Sequence, residues 1–377
     1  KAKLEAGGYS GYVEMLEEYA ATTARRTEGP TVAYVCASKR CAGLADRLLG
    51  MTGLFNLAVI EDMPFRIGPQ PGSGWDLAHS KVPWEFSLRD QQLNCKKNFA
   101  WNYWYSIDKV IDEWRTFATN HQNGTFCVQV NQVFDPRMVA TNRTSQVSQR
   151  RARAMYAYNN VARGTFKGIE PIAIGTLNAL FKFSPKIEDS VGEIKKALRI
   201  DRFDNVVAVH LRDMLTEYRL GIDSGIMSDD FINIFIKCSL KMEKEMELPT
   251  DGKTGWLLLS DRLVNFTDAV RDKYGERIMA IYDAQREGVV KPGNTARSRG
   301  TDRGHANFMA LRDTALLTLP QVKSIGRTDG GFAKLASLFG GRPVFECGLP
   351  KGYTQSNLVE GNQRKQLLNN PSLGLGQ

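Results

Sequence analysis

Metal-binding residues are scarce in this chain of 377 residues. It holds four histidines and six cysteines, with no Cys-x-x-Cys pair and no histidine spaced for a zinc site, so a structural metal is not expected. Long apolar runs are missing too. No window approaches the roughly 18 uninterrupted apolar residues of a membrane-spanning helix, and the opening KAKLEAGGYSGYVEML is polar and amphipathic rather than leader-like. No Gly-x-Gly-x-x-Gly fingerprint follows the first apolar run and no Walker A sequence occurs, which disfavours nicotinamide or flavin enzymes and P-loop kinases. His210-Leu211-Arg212-Asp213 has the look of a protein-kinase catalytic loop, but the accompanying Gly-rich loop, Asp-Phe-Gly and paired lysine are missing. There is no internal repeat and no low-complexity segment.

Hydrophobic residues make up 42% of the chain and charged residues 24%, the profile of a soluble globular protein long enough for two domains. The net charge is +9, from 50 Lys and Arg against 41 Asp and Glu. A solvated basic surface accounts for this, and so does a site for a diphosphate. The densest basic run, Arg150, Arg151 and Arg153, belongs to no recognised nucleic-acid module, and no nucleic-acid partner is expected. The even cysteine count permits disulfides, Cys95 with Cys127 being the favoured pair, or six buried thiols. Three Asn-x-Thr sequons, at Asn123, Asn142 and Asn265, tilt the reading towards an oxidising compartment.

The apolar pattern opens with an amphipathic helix from Tyr9 to about Arg26, a strand Thr31–Ala37, a helix Ala45–Asp62 and a strand Phe65–Ile67. That is a βαβ opening. Residues 68–142 read poorly. Five tryptophans, Trp75, Trp84, Trp101, Trp104 and Trp114, crowd this stretch, as sugar-stacking platforms or as core filling. Helices are expected at Ser148–Val161, Ile172–Phe183 and Ile187–Arg199. The second half alternates clearly: strands Asn205–Leu211, Gly255–Ser260, Arg277–Tyr282, Val322–Ile325 and Pro343–Phe345. Helices separate them at Asp229–Glu247, Phe266–Tyr274, Gly304–Leu319 and Gly331–Phe339. Such alternation predicts a parallel, Rossmann-like sheet.

In a sheet of this kind ligands bind beyond the carboxyl ends of the strands, near helix N-termini. His210, Arg212 and Asp213 stand at the first such end, Ser260 and Asp261 at the second. Arg327, Asp329, Gly330, Gly331 and Phe332 follow Val322–Ile325 and run into a helix. Arg212 can fork onto diphosphate oxygens. Gly330 and Gly331 leave helix amides accessible to phosphate, while Ser260 and Asp261 offer acceptors for ribose hydroxyls or a purine edge. Each has a plainer role as turn, surface ion pair or helix cap. Their recurrence at successive strand ends favours a site.

These residues carry a resemblance to a family. Cys41-Ala-Gly-Leu-Ala-Asp-Arg-Leu-Leu-Gly, Phe181-Lys-Phe-Ser-Pro, Val209-His-Leu-Arg and the block Thr301–Gly341 resemble, in order and spacing, the fucosyltransferase superfamily. That group includes the plant xyloglucan fucosyltransferases, core α1,6-fucosyltransferases and protein O-fucosyltransferases. The likeness spans most of residues 9–347 and is strongest to the plant type. It implies an α/β chain of GT-B type, two Rossmann-like domains facing a cleft. The expected bounds are residues 1–185 on the acceptor side, 186–350 for the nucleotide sugar, and a tail 351–377. It implies inverting, metal-independent transfer of a sugar, fucose from GDP-fucose, to a glycan or glycoprotein, with no cofactor beyond the donor. Gly43 and Arg47 of the first-domain loop join His210, Arg212, Ser260, Asp261, Arg327, Gly330, Gly331 and Phe332 in donor binding. Arg212 stabilises the leaving diphosphate, and Asp46 and Asp329 are the candidate general bases. By analogy the compartment is the Golgi lumen, with an anchor upstream of this chain; a cytoplasmic enzyme is the alternative.

Four residues depart from the family pattern: Gly330-Gly331 stand where small hydroxyl residues usually precede Phe332, Ala45 replaces a glycine, and Asp213 follows Arg212. They leave open a different nucleotide sugar, or a catalytically inactive relative that binds glycan or nucleotide.

Overall fold

The structure, a computed structural model, describes residues 10–23, 26, 28–35, 44–68, 77–79, 95–100, 107–120, 124–129, 150–151, 171–211, 229–250, 252–260, 264–281, 303–328 and 331–348. The chain forms two compact units. The first comprises residues 1–192, 291–318 and 334–343; the second comprises 193–290, 319–333 and 344–377. No described helix is long and apolar enough to cross a membrane.

The first unit opens with α1 (Ser10–Ala21), β1 (Pro30–Tyr34), α2 (Leu44–Ile60) and β2 (Phe65–Ile67), the expected βαβ unit, with α1, β1 and α2 ending earlier than their apolar patterns indicate. Two short strands follow, β3 (Leu77–His79) and β4 (Cys95–Ala100), then α3 (Ile107–Asn120) and β5 (Gly124–Gln129). The sheet runs β2-β1-β5-β4, parallel throughout. Residues 95–129, which lacked a clear reading in the sequence, thus supply half of it. Helix α2 buries nearly every side chain from Leu48 to Ile60, as a helix apolar on all faces must. Tyr19 of α1 meets Phe55 edge-on at 5.5 Å and donates its hydroxyl to the Met63 carbonyl at 2.7 Å. Trp114 is buried against Phe117 and Phe126, so this tryptophan fills the core. The other four of that cluster lie outside the described residues.

α4 (Pro171–Leu180) packs on α2 and ends earlier than expected. Phe181–Phe183 leaves the helix as β6 and pairs antiparallel with β3, an interaction invisible to local periodicity. Tyr12 and α4 are held by a buried relay: the Tyr12 hydroxyl bonds Thr176 Oγ1 at 2.7 Å, and Thr176 donates to Asn56 Oδ1 at 2.7 Å. A Cβ on Gly175 would sit 2.7 Å from the Tyr12 ring, so this close approach requires glycine.

Two arginines of the basic run are committed within this unit. Arg150 pairs with Glu18 at 2.9 Å. Arg151, almost wholly buried, bonds Asp62 Oδ1 at 2.6 Å and the Val59 carbonyl at 2.9 Å near the end of α2. Thr23 also donates to Asp62, and Arg26 pairs with it. Partial burial raises the Asp62 pKa, but the Thr23 and Arg151 hydrogen bonds and the Arg151 and Arg26 charges outweigh it, leaving the carboxyl below its ordinary value. Arg153 and the helix expected beyond Arg151 lie outside the described residues.

α5 (Pro185–Ala197) leads towards the second unit. There follow β7 (Asn205–Leu211), α6 (Asp229–Glu245), β8 (Thr254–Ser260), α7 (Asp268–Tyr274) and β9 (Ile278–Ile281). The chain then contributes α8 (Arg303–Leu317) to the first unit and β10 (Val322–Arg327) to the second. α9 (Gly331–Gly340) and β11 (Val344–Glu346) complete the fold. The second sheet is ordered β11-β10-β7-β8-β9 and wholly parallel. β7 and β8 are buried along almost their entire length, which is why they read as unbroken apolar runs. Trp256 of β8 donates to the buried Glu243 at 2.8 Å, and Arg277 pairs with the same carboxylate and lies over the indole at 4.4 Å. Cys238 of α6 and Cys347 beyond β11 form a disulfide across 109 residues. Cys127 is disulfide-bonded as well, and among the described residues no cysteine is free.

Candidate functional site

Counted within the second unit, the strand order is 3-2-1-4-5. β8 and β9 extend the sheet on one side of β7, while β10 and β11 extend it on the other. The reversal falls between β7 and β10, and their carboxyl ends open a crevice there. His210 of β7 and Arg327 of β10 are register partners at this edge, and Leu211 is the partner of Ser260 on β8. Three neighbouring strands therefore deliver His210, Ser260 and Arg327 to one end of the sheet. β10 runs two residues further than its apolar pattern indicates, because pairing with β7 and β11 on its two sides carries Gly326 and Arg327 into the ladder.

His210 is 8% exposed, and its ring lies 4.7 Å from that of Phe332, tilted by 34°. Phe332 is the second residue of α9, so this contact fixes the first turn of the helix against the end of β7. Gly331 opens α9, and no acidic residue occupies its first turn. A helix N-terminus of this kind presents unsatisfied amides and the positive end of the helix dipole, the local chemistry of a phosphate site.

Arg327 donates from Nε and Nη2 to Glu346 Oε1, at 2.8 and 2.6 Å, joining the ends of β10 and β11. Its guanidinium is about a third exposed in that pairing. Gly326 explains why β10 approaches α6 so closely. A Cβ there would lie 2.6 Å from Cys347 Sγ and 2.9 Å from Cys238 Sγ. The disulfide thus packs directly beneath the strand end that carries Arg327. Ser260 and Thr328 are both buried at this edge.

Arg47 lies in the first unit, on α2, 5% exposed, and its Nη2 donates to Asn307 Oδ1 of α8 at 3.1 Å. Asp46 falls on α2 as well. Gly43, Arg212, Asp261, Asp329 and Gly330 lie outside the described residues. Arg212 directly follows the last residue of β7, and Asp329 and Gly330 bridge Thr328 to α9 in the sequence. Among the described residues no group of three or more His, Cys, Asp or Glu is placed to hold a metal ion.

No protein-family model and no curated protein sequence matches the chain. Solved structures do. An arginine-to-lysine variant of Arabidopsis thaliana FUT1, in complex with GDP, superposes with a TM-score of 0.54 at 14% identity, over 93% of this chain and 80% of the other. The fold is GT-B, as in the fucosyltransferases. Two further solved structures are more distant. NodZ from Bradyrhizobium has a TM-score of 0.40 at 13% identity, covering 85% of this chain and 96% of the other. POFUT1 in complex with GDP has 0.41 at 10% identity, covering 85% and 98%.

Within this GT-B chain the sequence pattern located the strand ends but not the partners that hold them. Glu346 and Asn307 carry no motif. Their pairing with Arg327 and Arg47 depends on strand register and helix packing. Thr328 was the legible omission, since it stands between two residues already singled out.

Proposed function

We propose that the chain is a glycosyltransferase that takes a GDP-sugar, with fucose the sugar transferred, and that the donor diphosphate binds where β7 and β10 diverge. The observation that carries this reading is the placement of the α9 N-terminus beside His210 at the reversal point of a 3-2-1-4-5 sheet. The GT-B fold, similar to that of an FUT1 variant in complex with GDP, supports it.

Rupture of the sugar–phosphate bond builds negative charge on the leaving diphosphate. Charge-assisted donors aimed at that position lower the barrier more than they stabilise the ground state. Arg212, adjacent to the end of β7, and the α9 amides at Gly331 supply such donors. His210 and Phe332 hold the strand end and the helix end in register. Ser260 and Asp261 provide acceptors for the nucleoside. In an inverting displacement the acceptor hydroxyl loses its proton to a carboxylate; Asp329 and Asp46 are the candidates. Arg212 and the helix amides balance the leaving charge in this scheme, which requires no metal. The acceptor is a glycan or glycoprotein rather than a nucleic acid. The disulfide at Cys238–Cys347 supports a lumenal, oxidising compartment, the Golgi, for this chemistry.

A thermal-shift comparison of GDP, UDP, ADP and CMP, with and without EDTA, tests this function, because a ligand of the folded state raises its apparent stability. GDP alone should raise Tm, unchanged by EDTA and strongly reduced in Arg212→Ala. A preference for UDP would overturn the donor assignment. No shift with any nucleotide would favour an inactive glycan-binding relative.

A further inference from the structure

Of the three sequons, the one at Asn265-Phe266-Thr267 lies within the described residues, between β8 and α7. A sequon alone is a short motif that arises by chance, so its surroundings decide its meaning. The Asn265 side chain is exposed in a segment without helix or strand, while Phe266 beside it is buried and anchors that segment. The Asn265 amide oxygen accepts a hydrogen bond from Arg271 Nη2 at 3.3 Å; among the described residues its Nδ2 makes none. Thr267 is the N-cap of α7, in extended conformation, yet its side chain makes no capping hydrogen bond. Threonine at this position ordinarily gives its hydroxyl to the helix. Here the two sequon side chains are both exposed, with the acceptor nitrogen outside the Arg271 hydrogen bond and the hydroxyl two residues on outside the helix cap. The same unit carries the Cys238–Cys347 disulfide, a bond that forms and persists in oxidising compartments where N-glycans are attached.

We propose that Asn265 is an N-glycosylation site of this protein. In the transfer, Asn265 Nδ2 bonds to C1 of an oligosaccharide carried on a lipid pyrophosphate. The C1–O bond breaks, the lipid pyrophosphate departs with the electron pair, and one amide proton is released. The host's oligosaccharide transferase performs the step. The glycan emerges from an exposed turn, so the folded unit accommodates it without displacing buried residues. The inference rests on the lumenal reading given above, and the test separates the two.

The chain is secreted from eukaryotic cells, digested without reduction, and its peptides mapped by mass spectrometry before and after peptide-N-glycosidase treatment. The expected result is glycan on the Asn265 peptide, with enzymatic release converting Asn265 to Asp. Thr267→Val and Asn265→Gln should each abolish the modification, and Thr267→Ser should retain it. An intact Cys238–Cys347 disulfide with Asn265 unmodified would overturn the glycosylation site while leaving the lumenal reading standing. Repeating the map on protein from its native source, free thiols together with bare Asn265 would overturn both.

Discussion

His210 and Phe332 face each other at 4.7 Å, and through that contact the end of a buried strand positions the first turn of a helix. Neither ring needs to touch a ligand for the pair to matter. If α9 tilts, its terminal amides lose their aim at the proposed phosphate position, and a misplacement of about 1 Å is costly at such sites.

Replacing Phe332 by alanine should therefore weaken GDP binding by roughly 2- to 10-fold, on the scale of one aromatic contact of about 0.5–1.5 kcal/mol. Phe332→Tyr, which keeps the ring, should bind near wild type. Calorimetric titration of both variants against GDP checks this, with circular dichroism confirming that each is folded.

Gly326 follows the expected strand Val322–Ile325 in the sequence, yet it lies within β10 and has no room for a methyl group. Gly326→Ala should lower stability by about 1–3 kcal/mol, the usual range for overpacking. Reducing the Cys238–Cys347 bond, which closes a separation of 109 residues, should cost about 2–5 kcal/mol. Urea melts of wild type, Gly326→Ala and Cys347→Ser, with and without reductant, measure both. The serine variant should lose its reductant sensitivity at this bond.

The second unit was readable because its central strands are buried on both faces and its helices begin and end on ordinary signals. Asn205–Leu211 matches its expected bounds, and Asp229–Glu245 ends two residues short of them. The first unit hid its second half for physical reasons. β4, CKKNFA, has polar residues at three of its six positions and stands at a sheet edge. α3 carries Ile107, Val110, Ile111, Trp114 and Phe117 at helical spacing, a pattern obscured by reading the tryptophans as a group. Phe181–Phe183 is too short for periodicity to distinguish helix from strand, and its pairing with β3 is a tertiary decision. At the candidate site, the strand ends that carry His210, Ser260 and Arg327 were legible from position alone. The Arg327–Glu346 and Arg47–Asn307 pairings were not, since they depend on which elements become neighbours.

Asp62 predicts a pH dependence of stability. Its carboxyl is held below its ordinary value by Thr23, Arg151 and Arg26 against the opposing effect of burial. A depressed folded-state pKa gives stability that is present above the unfolded value, about 3.9, and lost as pH falls through the folded value. Wild type should thus lose stability below about pH 4 in part through this group. Asp62→Asn should be less stable than wild type at pH 7, and the gap should narrow as pH drops below 4. Thermal melts across pH 2.5–7, on the order of half-unit steps, follow the difference.

In the proposed function the donor diphosphate binds at the divergence of β7 and β10, with Arg212 as its principal cation. Isothermal titration of GDP into wild type and Arg212→Ala, with EDTA present throughout, addresses it directly. Binding by wild type with a loss of roughly 10- to 100-fold in the variant, the scale of about 1.5–3 kcal/mol for a charge-assisted hydrogen bond, is the predicted result. Equal GDP affinity in the two proteins would contradict it.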